Sequence, residues 1–198
     1  MDMNKVLENI NDCIRMSYDS SDPIEILKSL VSFLHSNLGY WGEPKASTPS
    51  DGADETKISG AFMVTPDMNY HMLVANIGFP DEQNHLLIPI DGGHPGHVWR
   101  TKAPLLLTST VTNTDFKQYL KTARMGSVVF TPIMKGDVFL GQFITATKEP
   151  DQMTVRDLNL SGIMSTIAFE AWSRNGGQEI MNTIYPPADG YYVPKEGL

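Results

Sequence analysis

The chain has 198 residues, a formal net charge of −8 at pH 7, an apolar share of 41% and one cysteine. This length suits a single α/β domain with extensions and can bury a core without disulfides or metals. The acidic balance, with no block of like charge, argues against a nucleic-acid surface; the lone Cys13 forbids an intrachain disulfide; and no apolar run reaches the about 20 residues that span a bilayer.

At the N-terminus, Met1-Asp2-Met3-Asn4-Lys5 shows no basic stretch leading into an apolar core, so no signal peptide and a cytoplasmic location are expected. Residues 3 to 18 read as a helix, with Val6, Ile10, Cys13 and Ile14 at helical spacing. A second helix opens at Asp22, with Pro23 at its first position and Glu25 placed to reach back as in a capping box. Leu27, Leu30, Val31, Leu34 and Leu38 form its stripe, and Gly39 is a natural stop. From Tyr40 to Lys57 the chain is polar and rich in turn residues, which predicts a long loop.

The period then changes. Gly60–Val64 and Tyr70–Ala75 read as strands around the turn residues Thr65–Asn69. Leu105–Leu107 reads as a short strand, and Asp115–Lys121 as a brief helix capped by Asn113 or Thr114. Ser127–Met134 and Val138–Thr147 are the clearest strand pair, joined by Lys135-Gly136-Asp137. A last long helix starts at Thr154 with Asp157 three residues on; Val155, Leu158, Ile163, Ile167 and Ala171 make one side, with Met164, Ala168 and Trp172 beside it. Gly176-Gly177 ends it. The tail to Leu198 mixes prolines and tyrosines without a period and reads as loosely held. The order predicts an α+β domain, one sheet separating the terminal helices from a pocket layer.

The pocket layer is read from Ile88 to Pro104. A strand-like end runs into Gly92-Gly93, and a helix start carrying His94, Pro95, His97 and Trp99 follows. Glycines allow a sharp turn, and the exposed amides of a helix start attract anions and polar groups. Elsewhere no catalytic apparatus is legible: no nucleophile-elbow pattern surrounds Ser127, so Asp91, His94 and Ser127 do not read as a hydrolytic triad.

Together these segments resemble GAF domains, the small-molecule sensor modules of signalling proteins. Gly96-His97-Val98-Trp99 before Ala103-Pro104-Leu105 resembles the family's pocket-helix segment, Gly126–Ile133 its central strand, and Lys135-Gly136 with Phe139-Leu140-Gly141 its next hairpin. The likeness covers Asp22 to Arg174, and no single motif in it is specific. It implies a central antiparallel sheet of about five to six strands, with N- and C-terminal helices on one face and ligand-pocket helices and loops on the other. The implied organisation is an N-terminal helix over 1–20, a GAF-like sensor domain over 21–175 and a Pro/Tyr-rich tail over 176–198. In many GAF proteins the terminal helices also form a dimer bundle.

Departures from the family narrow the function. The pocket helix has no cysteine for a bilin, and a methionine-sulfoxide-reducing branch uses several pocket cysteines that this chain lacks. The cyclic-nucleotide signature does not lie onto the chain. The expectation is therefore a non-enzymatic sensor, with no cofactor, for an unknown small molecule such as a small anion or metabolite, acting through a homodimer of the terminal helices or a signalling partner. The candidate ligand-binding residues are Phe79, Gly92, Gly93, His94, His97, Trp99, Tyr119, Ser127 and Thr145, with Phe116 beside Tyr119 as a lid. Alternatives are a pocketless interaction protein, and a metal- or haem-dependent enzyme or sensor using His94 and His97, three apart on one helix face.

Overall fold

The computed structural model describes residues 3–39, 57–110, 119, 121 and 124–194. The expected loop from Tyr40 to Lys57, apart from Lys57, which opens the first strand, and most of the expected helix over 115–121 with its caps Asn113 or Thr114, Phe116 included, lie outside the described residues. The chain begins with two helices, α1 (Met3–Asp19) and α2 (Pro23–Asn37). Asp22 caps α2: its Oδ1 accepts from the amides of Ile24 at 2.8 Å and Glu25 at 3.3 Å. The Glu25 side chain does not reach back; it pairs with Lys28 at 2.7 Å on the solvent side.

The strands follow as β1 (Lys57–Val64), β2 (Tyr70–Ile77), β3 (Leu86–Pro89), β4 (Leu105–Leu107), β5 (Ser127–Lys135) and β6 (Val138–Thr147), with α3 (Gly93–Thr101) between β3 and β4. After them come α4 (Val155–Arg174), α5 (Gly177–Ile184) and β7 (Tyr191–Tyr192). The sheet has the order β4-β5-β6-β1-β2-β3-β7 and is antiparallel except where β7 joins β3. The short strand expected over Leu105–Leu107 is the edge strand β4, and β7 at the other edge brings the expected five to six strands to seven. A bulge shifts the β1–β2 register, so Ala61 faces Ala75 while Phe62 faces Leu73.

Alternation along the strands divides the core in two. Ala61, Met63, Val129, Ile133 and Phe143 belong to the apolar layer beneath α2 and α4. Ile58, Phe62, Val128, Phe130, Ile144 and Ala146 belong to a second layer on the other side, with Val98 of α3. Both faces of β5 and β6 are covered, which explains their nearly continuous burial.

α4 starts as expected. Asp157 is fully buried; its Oδ2 accepts from the amide and hydroxyl of Thr154, each at 2.7 Å, and its Oδ1 from the amide of Gly39, also at 2.7 Å. One carboxylate thus joins the start of α4 to the end of α2. The buried face of α4 takes Met164, Ala168 and Trp172 from one of the two apolar groups read in the sequence and Ala171 from the other. Leu160, Met164, Ala168 and Trp172 are buried, whereas Val155 is 63% and Ile163 44% exposed. Apolar residues occupy both sides of this helix, and the cover supplied by α2 and β5 selects one.

The tail also differs from its reading. Its described part forms α5 and β7. Tyr185 donates its hydroxyl to Asp67 in the β1–β2 turn at 2.7 Å, Asp189 meets His85 at 2.7 Å, and Val193 is buried. A two-residue strand has no period for sequence to display.

Candidate functional site

The site begins where β3 runs out. The turn after Pro89 is closed by the Gly92 amide donating to Pro89 O at 2.8 Å, and Gly96 N donates to Gly92 O at 2.8 Å to start α3. Gly93 has φ +51°, and a Cβ there would lie 2.5 Å from the Tyr119 hydroxyl. Gly96 is held to glycine by close approach, since a Cβ would lie 2.2 Å from the Asp91 carbonyl carbon. Two polar side chains fix this roof from below. Gln142 of β6, fully buried, donates to Pro95 O at 3.3 Å. His71 of β2, also fully buried, meets Ile90 O through Nε2 at 2.9 Å. Burial pushes the His71 imidazole down to about 4, against the opposing pull of that carbonyl, so the ring is neutral and Nε2–H donates.

Under the roof lies a half-open cavity of about 50 Å³. Its floor is Ile58 and Phe62 of β1, Val128 and Phe130 of β5, and Ile144 and Ala146 of β6. Leu86 and Ile88 of β3 close one side with Phe79 and Met125, and His94, Pro95 and Tyr119 close the top. The His94 ring stacks on Phe130 with centroids 6.0 Å apart, and Phe79 tilts onto Phe62 at 6.1 Å.

Tyr119 is held by its backbone. Fully buried Gln83 donates to Tyr119 O at 3.1 Å and accepts from the amide of Lys121 at 3.0 Å. The Tyr119 hydroxyl is buried and has no hydrogen-bond partner among the described residues. Burial, and secondarily the charge of Asp91, raise its pKa, so it stays protonated and is a donor.

The structure therefore brings Phe79, His94 and Tyr119 together around one cavity, with Gly92 and Gly93 shaping its rim. His97 is exposed on α3, and Trp99 is half-buried against the same apolar layer without lining the cavity. Ser127 and Thr145 are on the opposite face of the sheet. The Ser127 hydroxyl bonds Thr147 at 2.9 Å and accepts from the Met153 amide at 3.2 Å, and Thr145 accepts from Ser59 at 3.2 Å. Their strand neighbours Val128, Ile144 and Ala146 take the cavity side by alternation.

Among the described residues no three or more His, Cys, Asp or Glu side chains come together as a metal site. Among the same described residues no helix is long and apolar enough to cross a membrane. Sequence reading missed Gln83, whose amide clamp spans a long sequence gap, and the floor residues. Period-two alternation could have found the floor had its orientation been known.

No protein-family model matches the chain, and no curated protein does. Solved structures do. The GAF domain from Acinetobacter phosphoenolpyruvate-protein phosphotransferase superposes with a TM-score of 0.71 at 12% identity, covering 89% of this chain and 97% of that one. The GAF domain of the corresponding protein (ptsP) from Coxiella burnetii gives 0.71 at 14% identity over 88% and 96%. Free methionine-R-sulfoxide reductase from Neisseria meningitidis, in complex with its substrate, gives 0.69 at 13% identity over 87% and 90%. Likeness at this identity speaks for the fold. Helices on one face of an antiparallel sheet, with a roofed cavity on the other, give this chain the fold of the GAF domains.

Proposed function

We propose that the chain is a non-catalytic regulatory module that binds a small molecule beneath α3 and passes its occupancy to a second copy or a partner protein through α1 and α4. The cavity bounded by Phe79, His94 and Tyr119 carries this reading. A route for coupling accompanies it: Val128, Phe130 and Ile144 line the cavity, while Val129 and Phe143 on the same strands pack beneath the helices. A ligand that favours one arrangement of those strands shifts the helices by its differential affinity.

The reductases among the structural neighbours raise an enzymatic alternative. The chemistry here favours the sensor. Cys13, the only cysteine in the chain, is on α1 against the helix-side core; burial, and secondarily Asp12, push its thiol up to about 11, so it is not a thiolate at neutral pH. The test is thermal unfolding with nitrate, cyclic nucleotides, amino acids, haem, aromatic acids and neutral aromatics. A saturating ligand raises the Tm of the wild type by about 5 °C or more and leaves Ala146→Leu, with its cavity filled, unmoved. No shift with any compound would overturn the sensor.

A second reading has its own observation. Leu7, Ile14 and Tyr18 are exposed on α1, and Val155 and Ile163 on α4, which suits a homodimer or partner interface on the helix layer. Light scattering across a concentration series tests it; a monomer throughout would remove the interface.

A further inference from the structure

We propose that the groove between β5 and α4 is a second ligand site, which takes an uncharged molecule with an apolar body and an amide-like edge that both donates and accepts. The groove has a volume of about 370 Å³ and is open to solvent. An apolar cavity of about 150 Å³ is enough for benzene, so a two-ring molecule can enter here. The groove lies on the helix face of the sheet, opposite the cavity beneath α3, and the proposal does not depend on that cavity.

The first observation is a pair of hydroxyls. Thr131 of β5 and Ser165 of α4 line the groove from its two walls. Thr131 is 4% and Ser165 5% exposed, and neither hydroxyl has a hydrogen-bond partner among the described residues. On the same face Ser59 bonds Thr145 and Ser127 bonds Thr147, so the pair at the groove stands apart from these two. Both oxygens are closed to water, so solvent does not take a partner's place. A turn of χ1 between staggered positions brings either into the groove that its residue already lines. A buried hydroxyl left unpaired is destabilising, and a ligand that supplies its partner relieves the loss. With one hydroxyl donating to a carbonyl and the other accepting from an N–H, an amide or lactam edge satisfies both without charge.

The second observation is Gly162, on the α4 wall in the interior of that helix. Glycine is unfavourable there. Neither a positive φ nor a close approach requires it, since a Cβ at this position would meet nothing within 4 Å. The missing side chain leaves room in the groove.

The third observation is the rest of the described wall. Pro104, Pro132, Met134 and Phe169 offer apolar surface, and the Thr166 hydroxyl donates to Gly162 O at 3.3 Å. An ionic group seated among these residues would lose part of its hydration and gain no counter-charge from them.

Three probes share a two-ring body and differ at the edge: 2-quinolinone, naphthalene and 2-naphthoate, titrated into amide-labelled protein and read by NMR. 2-Quinolinone is expected to shift the amides of Thr131, Gly162 and Ser165. Thr131→Val and Ser165→Ala are each expected to weaken it about fivefold and to leave naphthalene unchanged. Thr131→Val is at the same time expected to raise the Tm of the free protein, a combination that a purely structural hydroxyl does not give. Gly162→Leu is expected to unfold at or above the wild-type temperature, because it removes glycine from a helix, and to bind none of the three. Ala146→Leu, which fills the cavity on the other face, is expected to bind 2-quinolinone as wild type does. 2-Naphthoate binding more tightly than 2-quinolinone, and losing that binding in Gly162→Leu, would overturn the uncharged class. An unchanged 2-quinolinone affinity in both hydroxyl variants would overturn their role. No shift at the groove with any probe, or binding that survives Gly162→Leu, would overturn the site.

Discussion

The two faces of the sheet are built from the same strands and close differently. On the helix side, α2 and α4 lay rows of Leu27, Leu30, Leu34, Met164 and Ala168 over Val129 and Phe143. Two pairs of hydroxyls that fall there bond each other, Ser59 with Thr145 and Ser127 with Thr147. On the other side the cover is a helix of nine residues, a glycine turn and the Tyr119 lid, and space remains beneath it. The helix side is filled beneath α2 but keeps an open groove of about 370 Å³ between β5 and α4, lined by Thr131, Gly162, Ser165 and Phe169, so equal apolar character in the strands does not decide whether a stretch of either face is filled. The geometry of its cover does.

The largest expected difference between the faces is in truncation. Phe143→Ala, on the filled side and fully buried, is expected to lower the unfolding free energy by about 3–5 kcal/mol. Phe79→Ala is expected to cost about 2–3 kcal/mol, because its ring borders space on one side and has fewer dispersion partners to lose. Urea unfolding measures both, and a larger loss at Phe79 would break the comparison.

Acid is expected to act on the cavity side next. His71 holds Ile90, which leads into α3, and burial brings its imidazole from the ordinary histidine value of about 6.5 down to about 4. The unfolded chain binds the proton more readily, so the stability held in the neutral ring is complete above about 6.5 and is lost as the pH falls toward 4. About 2 kcal/mol should be gone between pH 7 and pH 5. Burial lowers His35 as well, with Lys57 adding to the effect, so the comparison must be made against His71→Gln, whose unfolding should depend less on pH over this window. Equal slopes for the two proteins would remove His71 from the explanation.

The smallest effects sharpen the helix side. Ser127→Ala removes the bond to Thr147 and the acceptor of the Met153 amide, and is expected to cost about 1–2 kcal/mol. Thr131→Val replaces a buried hydroxyl that has no partner among the described residues, and is expected to gain about 1 kcal/mol. Thermal unfolding distinguishes the signs; a loss at Thr131 would show that its hydroxyl is bonded.

Local chemistry was legible in the sequence. Asp22-Pro23, Thr154 with Asp157, and the Lys135-Gly136-Asp137 turn specify their caps and hairpin within a few residues. The cavity's rim was legible for the same reason, through Gly92-Gly93 and the helix start after it. Orientation was not. Ser127 and Val128 both sit in a strand covered on two faces, and only the tertiary cover assigns one to the helices and the other to the cavity. Val155 and Ile163 lost the inner face of α4 to Leu160 and Met164 on the same ground. Gln83 and the β7 pairing act across gaps that carry no sequence period.

The cavity can be tested without knowing its natural occupant, by diffraction from a crystal held under xenon. The expected result is xenon density bounded by Phe62, Phe130 and Ile144, with Tyr119 closed above it. A site filled by the protein's own side chains, with no xenon between them, would contradict a binding cavity on this face.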